Sequence, residues 1–467
     1  MRKKIWFAVS LSLVAILILS MAIYIPSRFK EKKPKTGFGS ISEIISSYYD
    51  PNGRPMSCAH RAITRIGNPI PENSLSAIQD CIDHNVDIVE LDIMRTLDGI
   101  YVLCHDQSIH RTTTYTGEKN INQMTYEEIC QYPLRKYTGD VFGVYYDENG
   151  KTLTVPTFED ALKLCKDNIM INLDKFPEQW PNRMELYELV KKNNCLDNVI
   201  FKGYFDSAKI QSWHDEIKAL YGNDAKMPNY CGMNSDQIVS SYLSYVTAHA
   251  HFGTAFSVES NFSNYNQPHA DPTILAQARE HVRPFASVLS EALDSSFCAG
   301  HKENATGWAA VIALGYNILQ TNNAADLAAY IHANYSSPTR DISTGLNALH
   351  FTNYKHKQIA HTMQIKDSSV KLYNGDYIYF KNVDLSSAAG KNLVASITAH
   401  SSLGDLVIRI DSEAGTTIAK YDLSKLSTQK SDVSATLENA NYGVCNLYIC
   451  AENMEGGSVS ISKLISK

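Results

Sequence analysis

Between Met56 and Ile331 short apolar runs alternate with amphipathic stretches, and after Ala333 that alternation stops. The runs at 56–59, 88–93, 101–104, 169–173, 199–201, 255–258, 285–289 and 318–319 have the length and composition of strands. Residues 73–84 and 158–166 carry helical spacing, with Asn73 and Thr157 placed as N-caps. Strand and helix in turn over this length predict a parallel α/β fold, read as a TIM (β/α)₈ barrel over residues 49–336. A doubly wound open sheet is the fallback. Residues 350–467 alternate strands with turn signals such as Asn374-Gly375 and carry no long amphipathic helix, which predicts an all-β sandwich.

One segment of the first region stands out. In DIVELDIMRTLDGIYVLCHD, residues 87–106, Glu90 and Asp92 lie two apart in an apolar run. Side chains alternate along a strand, so both carboxylates share one face while Val89, Leu91 and Ile93 share the other. Two adjacent buried carboxylates repel and lose hydration, at a cost of several kcal/mol unless they share a cation. Oxygen ligands favour one hard divalent cation, Ca²⁺ or Mg²⁺.

The chain of 467 residues is 44% hydrophobic and 20% charged, which suits several folded domains. A formal net charge of −6 argues against nucleic acid as a partner. Ten cysteines without paired spacing give neither a disulfide scaffold nor a zinc site. The N-terminus is more telling. Arg2, Lys3 and Lys4 precede an uncharged stretch over 5–27, closed by Arg28, Lys30, Lys32 and Lys33. Such a stretch can span a bilayer at ~1.5 Å per residue and lacks a good small-residue cleavage site. It reads as an uncleaved, single-pass transmembrane signal anchor, with 28–48 as a linker and the catalytic region extracellular at the cell membrane.

Further chemistry sits at strand ends. His60-Arg61 ends the first run, His105-Asp106 follows the carboxylate strand, and Asp174-Lys175 ends another. In a barrel these ends share one rim, where catalytic residues belong. Carboxylates, two histidines and basic side chains suit cleavage of a phosphodiester. The cation and Arg61 neutralise phosphoryl oxygens while the histidines exchange protons with nucleophile and leaving group.

These residues resemble the glycerophosphodiester phosphodiesterases, relatives of the phosphatidylinositol-specific phospholipases C. The matching stretches are AHRA, PENSLSAIQ, DIVELDIMRTLDGIYVLCHDQSIHRTT, VPTFEDAL, MINLDK and GYNILQTNN. The resemblance implies a TIM barrel with His60 and His105 as catalytic acid and base, and Arg61 as phosphate contact. Glu90, Asp92 and Asp174 become metal ligands. It further implies a metal-dependent phosphoric diester hydrolase that releases an alcohol and glycerol 3-phosphate, through attack of a neighbouring glycerol hydroxyl. Residues 111–156 fit the insertion that covers the site in this family. Three departures stand. Asp174 takes a position where the family commonly has Glu. Lys175, a phosphate-binding candidate, follows Asp174 directly, where the family places its lysine one residue later, so Lys202 of IFKG is the alternative phosphate-binding cation. Thr321-Asn322 replaces the family's closing T-D, a change read as peripheral.

The stretch LYNGDYIYFKNVDL to IAKYDL resembles family 6 carbohydrate-binding modules, with Tyr373, Tyr377, Tyr379 and Tyr421 as aromatics for sugar stacking. Its opening, HTMQIKDSS, lacks the acidic residues usual for that family's calcium. The reading is a surface enzyme acting on a small glycerophosphodiester or a polyglycerol-phosphate (teichoic acid) wall polymer, with carbohydrate as a partner of the C-terminal domain. A phospholipase C-like enzyme on intact lipid is one rival. An inactive barrel serving as a glycan-binding surface protein is the other.

Overall fold

A computed structural model describes residues 40–467 apart from 51–52, 137–142, 235–238, 264–266, 290–292, 295–307, 336–339, 349–352, 356–363, 367–368, 401–402, 427, 438–441 and 455. The stretch read as an anchor, 5–27, lies outside the described residues. Among the described residues no helix is long and apolar enough to cross a membrane.

The first domain is a closed barrel. Its strands are β1 (Met56–Ala59), β2 (Ile88–Arg95), β3 (Tyr101–Leu103), β4 (Met170–Asp174), β5 (Val199–Gly203), β6 (Asn229–Asn234), β7 (Ser257–Asn261), β8 (Arg283–Ser287) and β9 (Ile318–Thr321). All pair in parallel except β3, which folds back on the end of β2 as a hairpin. Strand β1 pairs with both β2 and β9, which closes the sheet and excludes the open alternative. The strands start apolar on both faces because helices cover the outside and side chains fill the lumen.

Strand parity sorts the two sides. Val89, Leu91, Ile93, Ile171, Leu173, Val199 and Phe201 face outward and pack with the helices. Met56, Cys58, Ile88, Met170, Ile200, Cys231, Phe285 and Ile318 form an apolar layer of their own inside. Two residues further along these strands the lumen turns polar, with Glu90 opposite Asn172 and Asp92 opposite Asp174. The helix Leu75–Asp83 shows how one covering element is specified. Ser74 caps it by accepting from the Ala77 N–H, and Ala77, Ile78 and Cys81 bury one face. Asn73 is therefore not the cap. It takes a left-handed φ of 52° and its side chain turns to Asp92 instead. Thr157 does cap Phe158–Cys165, accepting from the Asp160 N–H.

The linker read over 28–48 is described only from Ser40, and from there it is not a tether. Ile41–Tyr49 is a helix with a capping box between Ser40 and Glu43, and Ile44 and Tyr48 are buried against the apolar inner layer. The Tyr48 hydroxyl lies 2.8 Å from Ser257 Oγ, and buried Arg283 donates to the carbonyls of Ser47, Arg54 and Asn317. Isoleucines and tyrosines at helical spacing bury apolar area that a solvated linker leaves exposed.

The second domain is a sandwich of two six-stranded sheets. One carries Arg340–Asp341, Asn353–Lys355, Tyr377–Asp384, Val444–Glu452, Asp405–Ile410 and Thr417–Asp422. The other carries Leu346–Asn347, Gln364–Lys366, Ser369–Tyr373, Ser458–Ser466, Asn392–Ala399 and Ser431–Thr436. Inward side chains such as Phe380, Leu393, Leu406, Leu447 and Ile461 make its core. Tyr373 and Tyr421, read as free aromatics, are buried here. Tyr421 donates its hydroxyl proton to the Leu393 carbonyl at 2.8 Å, so neither offers a face to a ligand. Tyr379 instead stacks on Tyr448 across the first sheet, centroids 4.9 Å apart, with Tyr377 edge-on to the same Tyr448 ring.

Candidate active site

Three carboxylates meet at the C-terminal end of the barrel. Glu90, Asp92 and Asp174 each bring an oxygen within 4.8 Å of the others. Glu90 and Asp92 are 1% exposed. The ammonium of Lys202 lies 2.8 Å from Asp174 Oδ2, 3.3 Å from Glu259 Oε2 and 3.7 Å from Glu90 Oε1. Glu259, on β7, was not singled out from the sequence. It stands alone in SVESN, with no second acid two residues away to mark it.

Three carboxylates face one lysine, and the fourth, Asp92, has Arg61 Nε at 3.8 Å. The imbalance is visible in their protonation. Burial, with Asp92 beside it, pushes Glu90 well above the carboxylate range, and burial with Asp174 nearby raises Asp92. Burial also raises Glu259. At Asp174 burial acts the same way, but the Lys202 charge and hydrogen bond outweigh it and hold this carboxyl well below its usual value. Asp92 Oδ1 is buried without a hydrogen-bond partner, while Oδ2 accepts from Asn73 at 2.9 Å. An orphaned carboxylate oxygen, two more carboxylates within reach and surplus negative charge together fit a hard divalent cation.

The first histidine turn is built tightly. His60–Ala62 forms a single 3₁₀ turn at the tip of β1, with Arg61 and Ala62 both at positive φ. Such backbone costs of order 1–3 kcal/mol per residue and persists only where neighbours enforce it. Here the Arg61 N–H donates to Glu90 Oε2 at 2.7 Å and the Asn73 N–H to the Arg61 carbonyl at 2.9 Å. The turn is thereby locked to the carboxylate strand. His60 Nδ1 lies 2.8 Å from Asn322 Oδ1, so the change at Asn322 is not peripheral. Its partner lies far away in sequence, which hid the contact. Burial and the Arg61 charge lower His60 to about 4.

The second histidine is held differently. His105 Nδ1 lies 2.6 Å from Asp106 Oδ1, and Arg111 Nε donates to Asp106 Oδ2 at 2.6 Å. Arg111 also donates twice to Glu72, at 2.7 and 3.0 Å, and Arg61 donates to the same Glu72 at 3.2 Å. Burial raises Asp106, but the hydrogen bonds from Arg111 and His105 win and hold it at about 2. One chain of bonds therefore runs from His105 through Asp106, Arg111 and Glu72 to Arg61. Its central members, Glu72 and Arg111, were not singled out from the sequence.

Of the expected cations, Lys202 is brought among the carboxylates and Lys175 is not. Lys175 adopts a left-handed φ of 63°, its N–H donates to Asp174 Oδ1, and its ammonium lies 4.0 Å from Glu178. Lys202 is itself 1% exposed, placed as the counter-ion of the acids.

Residues 60–284 match the model of the glycerophosphoryl diester phosphodiesterase family, and residues 347–462 that of the carbohydrate binding module, family 6. The barrel is thus similar to the glycerophosphoryl diester phosphodiesterase family, and the sandwich to family 6 carbohydrate-binding modules. A glycerophosphodiester phosphodiesterase of Bacillus altitudinis is 33% identical over 118 residues, 25% of this chain and 43% of the relative. Another, from Caldanaerobacter subterraneus, is 28% identical over 171 residues, 35% of this chain and 65% of the relative. The chain thus spans less than two thirds of either relative's length. A solved glycerophosphoryl diester phosphodiesterase from Parabacteroides distasonis is 16% identical with a TM-score of 0.46, covering 64% of this chain and 93% of that one.

Proposed function

We propose that the chain hydrolyses glycerophosphodiesters to an alcohol and glycerol 3-phosphate, with one divalent cation held by Glu90, Asp92 and Asp174. The observation that carries this reading is the meeting of that carboxylate cluster with His60 and His105, each oriented through Nδ1 by a side-chain oxygen. When bound, Ca²⁺ or Mg²⁺ would supply Lewis-acid neutralisation of phosphoryl charge. The chain's own residues do the rest. Arg61 lies beside the cluster and offers guanidinium donors to the phosphate. His60, neutral at pH 7, accepts the proton of the glycerol hydroxyl next to the phosphate as its oxygen bonds to phosphorus. His105 gives a proton to the departing alcohol oxygen. Water then opens the resulting cyclic phosphate with the proton traffic reversed. Lys202 keeps the carboxylates together.

The proposal extends to location and partners. The apolar stretch 5–27 supports a cell-membrane anchor with the barrel outside, and the sandwich supports attachment to an envelope glycan through the Tyr377, Tyr379 and Tyr448 face. A wall polymer of polyglycerol phosphate is then a substrate alongside small diesters. The test is release of glycerol 3-phosphate from glycerophosphocholine by the full chain and by His60→Ala and His105→Ala. Each variant should lose at least about a hundredfold in kcat, the range of a lost general acid or base. Full activity in either variant contradicts the assignment.

A further inference from the structure

His60 is supported by a side chain that carries no charge, and a buried carboxylate stands behind it. Asn322 sits just past the end of β9, and Asp294 gathers the turn around it. Trp308 Nε1 donates to Asp294 Oδ1 at 2.9 Å, Thr321 Oγ1 to the same oxygen at 2.5 Å, and Asn323 Nδ2 to Oδ2 at 3.2 Å. The Asn322 backbone bonds to Asp294 as well, and the Asn323 N–H closes on Thr321 Oγ1 at 2.9 Å. Asp294 takes no part in the chemistry described above. A carboxylate this buried is costly unless its acceptors are filled, and here they are filled by the residues on either side of Asn322.

From this geometry we infer that Asn322, fixed by Asp294, is the positioning residue of His60: it holds the ring proton on Nδ1 and leaves the Nε2 lone pair free for the substrate hydroxyl. The inference rests on the proposed hydrolysis for its catalytic meaning. An amide oxygen accepts from Nδ1–H as a carboxylate does, but it adds no negative charge to stabilise an imidazolium. The charged groups acting most strongly on the ring are Arg61 from its own turn, Lys202 from β5 and Glu72 from the loop before the helix Leu75–Asp83. Two of the three are cations, and with burial they outweigh Glu72 and the Asn322 bond, which act the other way. His105 differs in its partner: its Nδ1 lies 2.6 Å from the Asp106 carboxylate, where His60 has an amide.

The test uses the full chain labelled with ¹³C,¹⁵N-histidine, the His60 signals being those lost in His60→Gln. Wild type should show the Nδ1–H tautomer and remain neutral to about pH 5. Asn322→Asp should raise the ring's pKa by one unit or more and move the acid limb of kcat/KM upward by the same amount. Asn322→Leu should populate both tautomers and lower kcat roughly tenfold or more, with KM changed far less. Should the leucine variant fail to fold, the aspartate variant carries the test alone. An Nε2–H ring in wild type overturns the inference, as does an unmoved ring pKa in Asn322→Asp. If wild type shows the stated tautomer but hydrolyses no glycerophosphodiester, the proposed function fails and the positioning role stands.

Discussion

The Lys202 ammonium lies 2.8 Å from Asp174 Oδ2, buried in the barrel lumen, and within 3.7 Å of two further carboxylates. One lysine thereby stabilises a cluster that exceeds it in charge. Removing one partner of a buried ion group leaves uncompensated charge at a cost of about 3–5 kcal/mol. Lys202→Met is therefore expected to lower the urea unfolding free energy of chelated protein by about that much. Added Ca²⁺ should return a large part of it. A variant as stable as wild type in chelator would show that the lysine does not compensate these acids.

Glu72 joins the two histidine turns, since Arg61 and Arg111 both donate to it. Glu72→Gln keeps the shape and removes the charge that orders both guanidiniums. Losses of about 10- to 100-fold are usual for residues that orient others in this way. Steady-state kinetics on glycerophosphocholine should show a fall of that size in kcat/KM. An unchanged value would leave the bridge with no catalytic part.

His249 gives a pH prediction away from the site. It is fully buried, with Nδ1 2.7 Å from Thr254 Oγ1 and Nε2 3.2 Å from the Phe205 carbonyl. Burial lowers it to about 4 from 6.5. Between those values the unfolded chain binds the proton and the folded one does not, so stability falls as pH drops through the window. The contribution is complete above pH 6.5. The destabilisation caused by His249→Asn, measured by urea unfolding, should therefore be larger at pH 7.5 than at pH 5. A gap that widens towards acid would contradict the sign.

On the sandwich, Tyr379 and Tyr448 stack on one sheet while Tyr421 lies in the core. Affinity electrophoresis against envelope polysaccharides should show retention lost in Tyr448→Ala, with the rate on glycerophosphocholine unchanged. Tyr421→Ala should instead lower the thermal midpoint, since a large buried side chain is removed. Equal retention by wild type and Tyr448→Ala would remove this face from glycan binding.

Much of this site was legible because strand parity is rigid. Once 88–93 is a strand, Glu90 and Asp92 must share the lumen and Val89 and Leu91 the helices, and the structure places them so. The histidines were legible from their positions at strand ends. What escaped was whatever depends on closure. Asn322 meets His60 only because β9 pairs with β1, and Glu259 meets Lys202 only across the lumen. Asn73 looked like a helix cap because asparagine favours that position, but its φ and its bond to Asp92 serve the site while Ser74 caps. The helix Ile41–Tyr49 was hidden by the basic, glycine-containing residues ahead of it.

The central claim is that a divalent cation at Glu90, Asp92 and Asp174 is required for diester hydrolysis. It is tested most directly by following glycerol 3-phosphate release from glycerophosphocholine by the full chain, first chelated and then titrated with Ca²⁺ or Mg²⁺, beside Asp92→Asn. The account predicts loss of activity on chelation, recovery with one of the two ions in wild type, and little recovery in the variant. Full activity in chelator, or a variant restored as readily as wild type, would contradict it.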